Sequence, residues 1–430
     1  MVGPKILFQP VLPLLVSGVM CGAALPPYLY TESPGLSTPK RSARLMIAAG
    51  AAPRAFVPAF SDSADAAVSF DGARVLFAGR EKPDSPWQIW EAPVSGGAPR
   101  RVTNTAEDCI RPFYLPDDKL VYSRRTPQGF QLEIAPLAGG APLRLTYGAG
   151  DHLATDVLAD GRVLFDGPHS GAREIFTVYV DGSGVETVRC DHGRDRHSGR
   201  QLASGDTIFQ SGATLARFTS ARAVQLPVTL PKGEYAGPIA EIAPGEWLVA
   251  YRALPNARFA LHRVKPGQAQ AVPVKVAAAA NRNALDPVLI RPHAVPKRHP
   301  SSLGDRNGAN LLCLNAYTSR GAKIPDGVIA AVRVYMQDAG ALGEAPVERD
   351  GSFYVQVPSD RPIRFELLDK SGKTVAAEKE WFWARRGEQR VCVGCHAGPE
   401  RAPDNATPAV LLRTTDPVKF PVHSGNGGMK

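Results

Sequence analysis

The chain has 430 residues, a formal net charge of +9 and a hydrophobic content of 44%. This length is too great for one ordinary core, so we expect two domains, or one large repeat domain followed by a smaller one. Lysine and arginine are scattered, whereas a nucleic-acid surface needs a clustered basic patch. The composition therefore argues against nucleic acid as a partner and favours a solvated, mildly basic surface.

The first residues have the pattern of a secretory signal. Lys5 precedes an apolar run over 6–25 that ends near the small residues Ala23 and Ala24. This pattern predicts a signal peptide over 1–24, although three prolines are atypical and an uncleaved N-terminal anchor is the alternative. No later apolar run approaches the roughly 20 residues that span a bilayer. We expect an exported bacterial protein in the periplasm, with no membrane span in the mature chain.

A strand–turn–strand phrase recurs along the first two thirds of the chain. It is clearest in "SFDGARVLFAG", "LPDDKLVYSRR" and "LADGRVLFDG", and two weaker copies follow. The turn residues lie 46, 43, 44 and 40 positions apart, and they are Gly72, Asp118, Gly161, Gly205 and Gly245. A second strand–glycine–strand phrase follows the first at a similar offset, so each unit contains four strands. A four-strand unit of this period is typical of a β-propeller blade.

These units resemble the TolB-like PD40 repeats, whose mark is a (P/F)DG turn before a short apolar strand. Five units are recognisable, and strands within 44–65 would complete a sixth blade by joining the ends of the ring, which removes exposed sheet edges. We therefore predict an all-β chain with a TolB-like propeller of about six blades over 44–290.

The composition of the sequence changes after the predicted propeller. Residues 291–310 are rich in proline, glycine, serine and charge, which indicates a linker or an extended strap. Alternating apolar and polar residues, separated by short turns, predict a small β-sandwich over 311–384. The remaining segment, 385–430, has little periodicity, so we expect it to be mostly loop and to lie against both the sandwich and one propeller face.

Within that last segment stands "CVGCH", formed by Cys392, Val393, Gly394, Cys395 and His396. A thioredoxin-like pair needs a strand–turn–helix context that the flanks do not offer. A structural zinc site needs a second ligand pair at the usual spacing, and a disulfide across two residues is strained. The fourth interpretation is covalent attachment of one c-type haem, with the adjacent histidine carried to the iron. The motif favours this haem-binding interpretation.

Export supports the same conclusion through the cysteine count. Cleavage of the predicted signal peptide would remove Cys21 and leave five of the six cysteines. An odd set of thiols is a liability in an oxidising compartment unless some are consumed by chemistry. If Cys392 and Cys395 carry a haem, three scattered cysteines remain, which are most simply buried small hydrophobes or ligands: Cys109, Cys190 and Cys313.

The region around the motif resembles the hydrazine synthase alpha subunit family, in which a TolB-like propeller precedes a middle β domain ending in GE-x-R-x-C-V-G-C-H. The matching residues are Gly387, Glu388, Arg390, Cys392, Val393, Gly394, Cys395 and His396. The resemblance implies a haem here and a possible hetero-oligomer. In that family a tyrosine after the motif holds the iron and the motif histidine faces zinc. This sequence has no tyrosine after Tyr354 and no second CxxCH, so we expect His396 to bind iron, with zinc as the alternative.

A second polar cluster lies between the third and fourth predicted blades. It contains Cys190, His192 and His197, and Asp108 before the second blade is expected to join the same face. Cysteine, histidine and aspartate all bind zinc, so this cluster predicts a possible zinc site, or a ligand or proton donor facing the haem. The alternative is a polar loop whose histidines hydrogen-bond the backbone.

The sequence therefore predicts an exported c-type haem protein that carries electrons to an unknown redox partner or performs redox chemistry on a small molecule. It is then a possible haem-dependent oxidoreductase. We also expect at least one aromatic residue of 381–383 to pack on the porphyrin. The alternative function is a propeller that acts as a binding scaffold, with a structural haem or with cysteines that carry no haem.

Overall fold

The computed structural model describes residues 25–50, 52–189, 191–274, 281–318, 323–394 and 405–420. This described part folds as 32 β-strands and one short helix. The strands form eight four-stranded sheets. Six of them are the blades of a propeller and two form a sandwich, which confirms the predicted all-β fold class. No helix among these residues is long and apolar enough to cross a membrane.

The ring is closed by one sheet that combines both ends of the propeller sequence. Three of its strands precede the repeats, and they are β1 (Tyr28–Ser33), β2 (Arg44–Ala48) and β3 (Arg54–Ala55). The fourth strand, β24 (Asn283–Leu289), is the last of the propeller and pairs antiparallel with β1. The sixth blade was expected to start at residue 44, but the structure adds β1 before that boundary. Because all six residues of β1 are buried, the strand lacks the alternation that reveals a strand in a sequence.

The other five blades follow in chain order, and each is an antiparallel meander whose last strand is short. Blades 1 and 2 contain β4 (Asp62–Val68), β5 (Arg74–Arg80), β6 (Gln88–Pro93) and β7 (Arg100–Arg101), then β8 (Cys109–Leu115), β9 (Lys119–Thr126), β10 (Gly129–Pro136) and β11 (Leu143–Arg144). Blades 3 and 4 contain β12 (Leu153–Val157), β13 (Val163–His169), β14 (Ala172–Val178) and β15 (Glu186–Thr187), then β16 (Arg196–Gln201), β17 (Thr207–Ser211), β18 (Thr214–Phe218) and β19 (Gln225–Pro227). Blade 5 contains β20 (Glu234–Ala243), β21 (Glu246–Arg252), β22 (Ala260–Val264) and β23 (Val272–Pro273).

The repeated glycines allow positive φ angles in the turns and leave room for the segment after the propeller. Gly72 and Gly161 have φ angles of +76° and +92°, which L side chains rarely adopt. A Cβ atom at Gly72 would also lie 2.9 Å from the backbone nitrogen of Pro292, and one at Gly161 would collide with the carbonyl oxygen of Lys297. The segment after the propeller therefore crosses the face that carries these turns, as expected of a strap.

The core of the propeller lies between neighbouring blades rather than within them. Between blades 2 and 3, for example, side chains of both sheets form one cluster that includes Leu115, Leu132, Val163 and Phe165. Burial of this kind supplies most of the favourable free energy of a blade contact.

The sandwich contains eight strands in two sheets. One sheet has the order β31-β25-β28-β32 and the other β27-β26-β29-β30. The elements are β25 (Gly308–Cys313), β26 (Ala331–Met336), β27 (Gly340–Pro346), β28 (Phe353–Pro358), β29 (Ile363–Leu368), β30 (Thr374–Ala377), β31 (Gln389–Cys392), helix α1 (Ala409–Arg413) and β32 (Val418–Lys419). Their inner faces share one core with Leu311, Val332, Val334 and Val355.

The sandwich extends beyond its predicted limits of 311–384. It begins at Gly308, and it recruits β31 and β32 from the segment that was expected to be mostly loop. Both added strands run parallel to their partners, β25 and β28. Strands of four and two residues show no usable periodicity, and parallel pairing requires no adjacent turn, so the sequence offered no local sign of either.

Candidate functional site

The CVGCH motif begins inside the sandwich, because Cys392 is the last residue of β31. This strand forms the edge of its sheet and runs parallel to β25, with Cys392 in register with Cys313. The carbonyl oxygen of Cys392 accepts a hydrogen bond of 2.9 Å from the backbone nitrogen of Leu314. The first motif cysteine is therefore held by regular sheet structure rather than by a loose tail.

Gly394 passes unusually close to the loop that follows β25. A Cβ atom at this position would collide with the carbonyl oxygen of Thr318 and would lie 2.8 Å from that of Asn315. Any other residue would push the chain away from the sandwich. The glycine of the motif thus directs the chain at the point where it approaches Cys395 and His396, both of which lie outside the described residues.

Cys392 is partly accessible at the open edge of its sheet. Its side chain is half-buried, and burial raises the pKa of the thiol while Arg390 acts against that shift. The preceding residue, Val391, is 53% exposed although it is a large hydrophobe. Because Val391 and Cys392 are consecutive strand residues, their side chains project to opposite faces of the sheet. The half-buried thiol at the open edge is thus the group that is available for a covalent tether.

Upstream of the cysteines, Glu388 joins the sandwich to the propeller. Its carboxylate accepts hydrogen bonds from the backbone nitrogens of Arg385 at 2.7 Å and of Gly184 in blade 3 at 3.1 Å. The guanidinium of Arg390 donates to the same carboxylate at 3.0 Å. The Glu and Arg of the GE-x-R-x-C pattern therefore position β31 against the propeller.

Arg385 makes a second and stronger link between the two domains. Its guanidinium donates to the hydroxyl of Tyr147 and to the carboxylate of Asp360, both at 2.6 Å, and to the carbonyl oxygen of Asp181 at 3.1 Å. Only 9% of this residue is exposed. Its role was not predicted, because nothing in "WARRGEQR" distinguishes this arginine from its exposed neighbour Arg386.

The aromatic run before the motif is mostly committed to the protein interior. Trp383, 4% exposed, donates its indole nitrogen to the carbonyl oxygen of Leu145 at 3.3 Å and packs edge-on against His152. Phe382 pairs with Ile363 and joins the sandwich core. Of the three residues expected to supply a contact for a porphyrin, Trp381 alone is neither in that core nor docked on the propeller.

The second polar cluster is held together by a buried arginine. Arg196 is fully buried and donates to Glu174 at 3.0 Å and to Gln225 at 2.8 Å, while its ion pair with Asp191 is 2.8 Å long. His192 lies 3.7 Å from the same Glu174. These contacts tie the loop to blades 3 and 4 through side chains, whereas the alternative for this cluster expected its histidines to hydrogen-bond the backbone.

The remaining predicted ligands of this cluster are directed to different partners. His197 contacts the hydroxyl of Ser198 at 2.9 Å, and burial, followed by the charge of Arg173, lowers its pKa to about 4. Asp108 accepts a hydrogen bond of 2.9 Å from the backbone nitrogen of Trp87. Among the described residues no three such side chains are arranged to hold a metal ion. The expected grouping of Asp108 with the two histidines stays a prediction, and Cys190 lies outside the described residues.

One hairpin connects the two candidate regions. The ring of His169, at the end of β13, lies 4.0 Å from that of His192, and the next residue, Ser170, donates its backbone nitrogen to Glu380 at 2.8 Å. The β13–β14 hairpin therefore contacts both His192 and Glu380, and Glu380 belongs to the segment that leads into β31.

Comparison with known proteins places this geometry in context. Residues 315–397 match the family model described as the hydrazine synthase alpha subunit middle domain. Hydrazine synthase subunit alpha of Kuenenia stuttgartiensis is 37% identical over 65 residues, which are 15% of this chain and 8% of that protein. The Kuenenia stuttgartiensis hydrazine synthase structure has a TM-score of 0.79 at 17% identity and covers 90% of this chain and 71% of its own. TolB from Acinetobacter baumannii has a TM-score of 0.48 at 16% identity, over 61% of this chain and 66% of that one.

These matches confirm the predicted resemblance to the hydrazine synthase alpha subunit family. The family match begins in the loop after β25, so it covers β31 and Cys392 but not β25, the strand with which β31 pairs. The structural match extends the likeness of fold to the propeller, where sequence identity is low.

Proposed function

We propose that this chain is a c-type haem protein whose single haem is attached by Cys392 and Cys395. His396 would bind the iron, because a neutral imidazole next to the second thioether has the necessary reach. The haem supplies reversible one-electron redox chemistry when bound. The protein's own contribution is to hold the attachment strand, to shield one side of the group and to exclude competing ligands.

The observation that carries this proposal is the placement of the motif. Cys392 ends an ordered strand, Gly394 must be glycine, and Glu388 ties the strand to blade 3. A cofactor attached here would be fixed relative to both domains, which an electron carrier or a redox enzyme requires so that its partner meets a constant geometry. The family match over the same residues supports the proposal.

Periplasmic location, an electron-transfer or small-molecule redox role and a hetero-oligomeric state belong to the same proposal. The relative from Kuenenia stuttgartiensis is by its name one subunit of an assembly. A zinc ion at Cys190, His192 and His197, or at His396, stays a prediction.

The test is a pyridine haemochrome spectrum of the protein purified after export from cells with a cytochrome c maturation system. We expect a c-type spectrum, and a haem that remains with the polypeptide after denaturation and acid–acetone extraction. In the variant with both Cys392→Ala and Cys395→Ala, covalently bound haem should be lost. Haem that survives extraction from this double variant would refute attachment at the motif. In His396→Ala, an unchanged Soret band would place the iron ligand elsewhere.

A second candidate function is a binding scaffold in which the motif carries no haem. The observation in its favour is the register of Cys313 and Cys392 on adjacent strands, since register partners project to the same side of a sheet and neighbouring Cα atoms of a sheet lie about 5 Å apart. Oxidation of this pair would occupy the first attachment thiol. Peptide mass mapping of the exported protein distinguishes the two functions, because a Cys313–Cys392 disulfide and a haem thioether at Cys392 exclude each other.

A further inference from the structure

The propeller contains an axial cavity that the proposed haem function does not use. It has a volume of about 470 Å³, within the usual range for small-molecule sites. The innermost strand of every blade contributes to its wall, and one residue from each is Val68, Phe113, Asp156, Arg200, Ile239 and Val288. The strap residues 291–296 line its outer side. The cavity therefore lies on the propeller axis, between the inner strands and the strap.

The opposite part of the axis is filled by compensated charges. Lys40 is 6% exposed, and its ammonium lies 2.8 Å from Asp286 and 3.6 Å from Asp65. Arg111 lies 3.7 Å from the same Asp65. These carboxylates occur earlier along their inner strands than the cavity residues of the same strands, so this charged layer closes the axis on the side away from the strap.

Arg200, unlike Lys40 and Arg111, lies in the wall of the cavity, and most of its donors have no partner among the described residues. Within the described residues its guanidinium makes one hydrogen bond, to Asp156, at the long distance of 3.4 Å. Asp156 is already satisfied by the backbone nitrogens of Gln201 at 2.8 Å and Val157 at 2.9 Å. The long contact therefore leaves most of the guanidinium donors of Arg200 free to face the cavity. A guanidinium with spare donors is suited to an anionic ligand.

The surroundings of Arg200 define which kind of anion fits. The guanidinium lies over the ring of Phe113, with its centre 4.9 Å from the ring centroid, which holds the guanidinium plane in place. The other acidic residue of the cavity, Glu241, accepts a hydrogen bond from the backbone nitrogen of Ala203 at 2.7 Å. The rest of the wall is largely aliphatic or aromatic, with Val68, Ile239 and Val288 among its residues. A bare inorganic ion would leave this apolar surface unused.

We propose that the axial cavity binds a small organic monocarboxylate, whose carboxylate pairs with Arg200 and whose apolar part contacts Phe113 and the aliphatic wall. Recognition is of the bidentate guanidinium–carboxylate kind, for which arginine geometry is suited. The site is separate from the CVGCH motif, so it does not depend on haem attachment.

Isothermal titration calorimetry with hexanoate and hexanamide tests this site on the full chain. The two probes share a chain and differ in charge, so we expect hexanoate to bind at least about 10-fold more tightly, because a hydrogen bond to a charged group contributes more than a neutral one. Arg200→Gln should weaken hexanoate binding about 10–100-fold. Arg349→Gln is the matched control, since it removes the same charge from an exposed position on the sandwich.

A second variant covers the case in which Arg200→Gln does not fold. Ala240→Phe places a large side chain in the cavity without changing its charge, and it should abolish hexanoate binding while circular dichroism shows a folded chain. The proposal is overturned if hexanoate does not bind at millimolar concentration, if hexanamide binds equally well, or if hexanoate affinity is unchanged in a folded Arg200→Gln or Ala240→Phe variant.

Discussion

Closure of the propeller ring and docking of the sandwich both join distant parts of the chain, but they use different chemistry. Closure pairs β1 with β24 and buries the apolar side chains of Leu29 and Leu285 completely or nearly so. Docking places Trp383 and Arg385 against residues 238 positions earlier in the chain, largely through hydrogen bonds to carbonyl and hydroxyl oxygens. The ring therefore depends on apolar area and packing, whereas the orientation of the haem-attachment strand depends on a few polar side chains.

The difference implies that the two junctions fail in different ways. Loss of an apolar side chain from the closure should lower the stability of the whole ring, because the blades share cores with their neighbours. Loss of a polar contact from the docking surface should cost less free energy but should release the sandwich.

The largest effect is expected for Leu29→Ala in the ring closure. Leu29 is 0% exposed, so the variant leaves a cavity and should lower the free energy of unfolding by about 3 kcal/mol. Chemical denaturation monitored by tryptophan fluorescence measures this change. The matched control is Leu36→Ala, since Leu36 is 55% exposed. A cost for Leu29→Ala no larger than that of the control would mean that β1 is not part of the closure.

Acid should weaken the contact between the sandwich and the propeller, because His152 of the propeller is buried against Trp383. Burial lowers the pKa of His152 to about 4 from an ordinary value of 6.5. Between these values the unfolded chain binds the extra proton, so the stabilisation is present above pH 6.5 and is lost as the pH falls towards 4. The integrated loss is on the order of 2–3 kcal/mol.

Thermal unfolding of the wild type and of His152→Gln across pH 4–7 checks this prediction. The variant should show a shallower loss of stability in acid, while His293→Gln, which changes an exposed histidine, should follow the wild type. Parallel pH curves for the wild type and His152→Gln would contradict the assignment.

Arg385→Ala should have the next largest effect and should act mainly on docking. It removes two hydrogen bonds to the propeller, at Tyr147 and Asp181, and one to Asp360 within the sandwich, at a cost of about 2 kcal/mol. We expect limited proteolysis to cut the strap over 291–307 much faster in this variant. Arg349→Ala is the control, since it removes an arginine from an exposed turn of the sandwich, and equal cleavage rates in the two variants would show that Arg385 does not hold the domains together.

The smallest effect is expected for Glu380→Gln, which weakens the acceptor for the backbone nitrogen of Ser170. The contact lies near the surface, so the cost should be about 0.5 kcal/mol and should diminish in high salt. Differential scanning calorimetry at low and high salt measures it. A cost above that of Arg385→Ala would reverse the ranking of the docking contacts.

The local features of this protein could be predicted from its sequence. Strand–turn–strand phrases at a period of 40–46 residues determine the blades, because tight turns and alternation are properties of a few adjacent residues. The sandwich strands between 328 and 368 were predicted for the same reason. The CVGCH spacing is likewise local, and five adjacent residues are enough to point to haem attachment.

Only the tertiary structure decided which distant residues meet. It placed β1 in the closing blade, added β31 to the edge of the sandwich and brought Trp383 and Arg385 to the propeller. It also directed Asp108 to the backbone nitrogen of Trp87 and His197 to the hydroxyl of Ser198. Pairings across more than 200 residues leave no local pattern, since they are selected by the packing of completed domains rather than by neighbouring side chains.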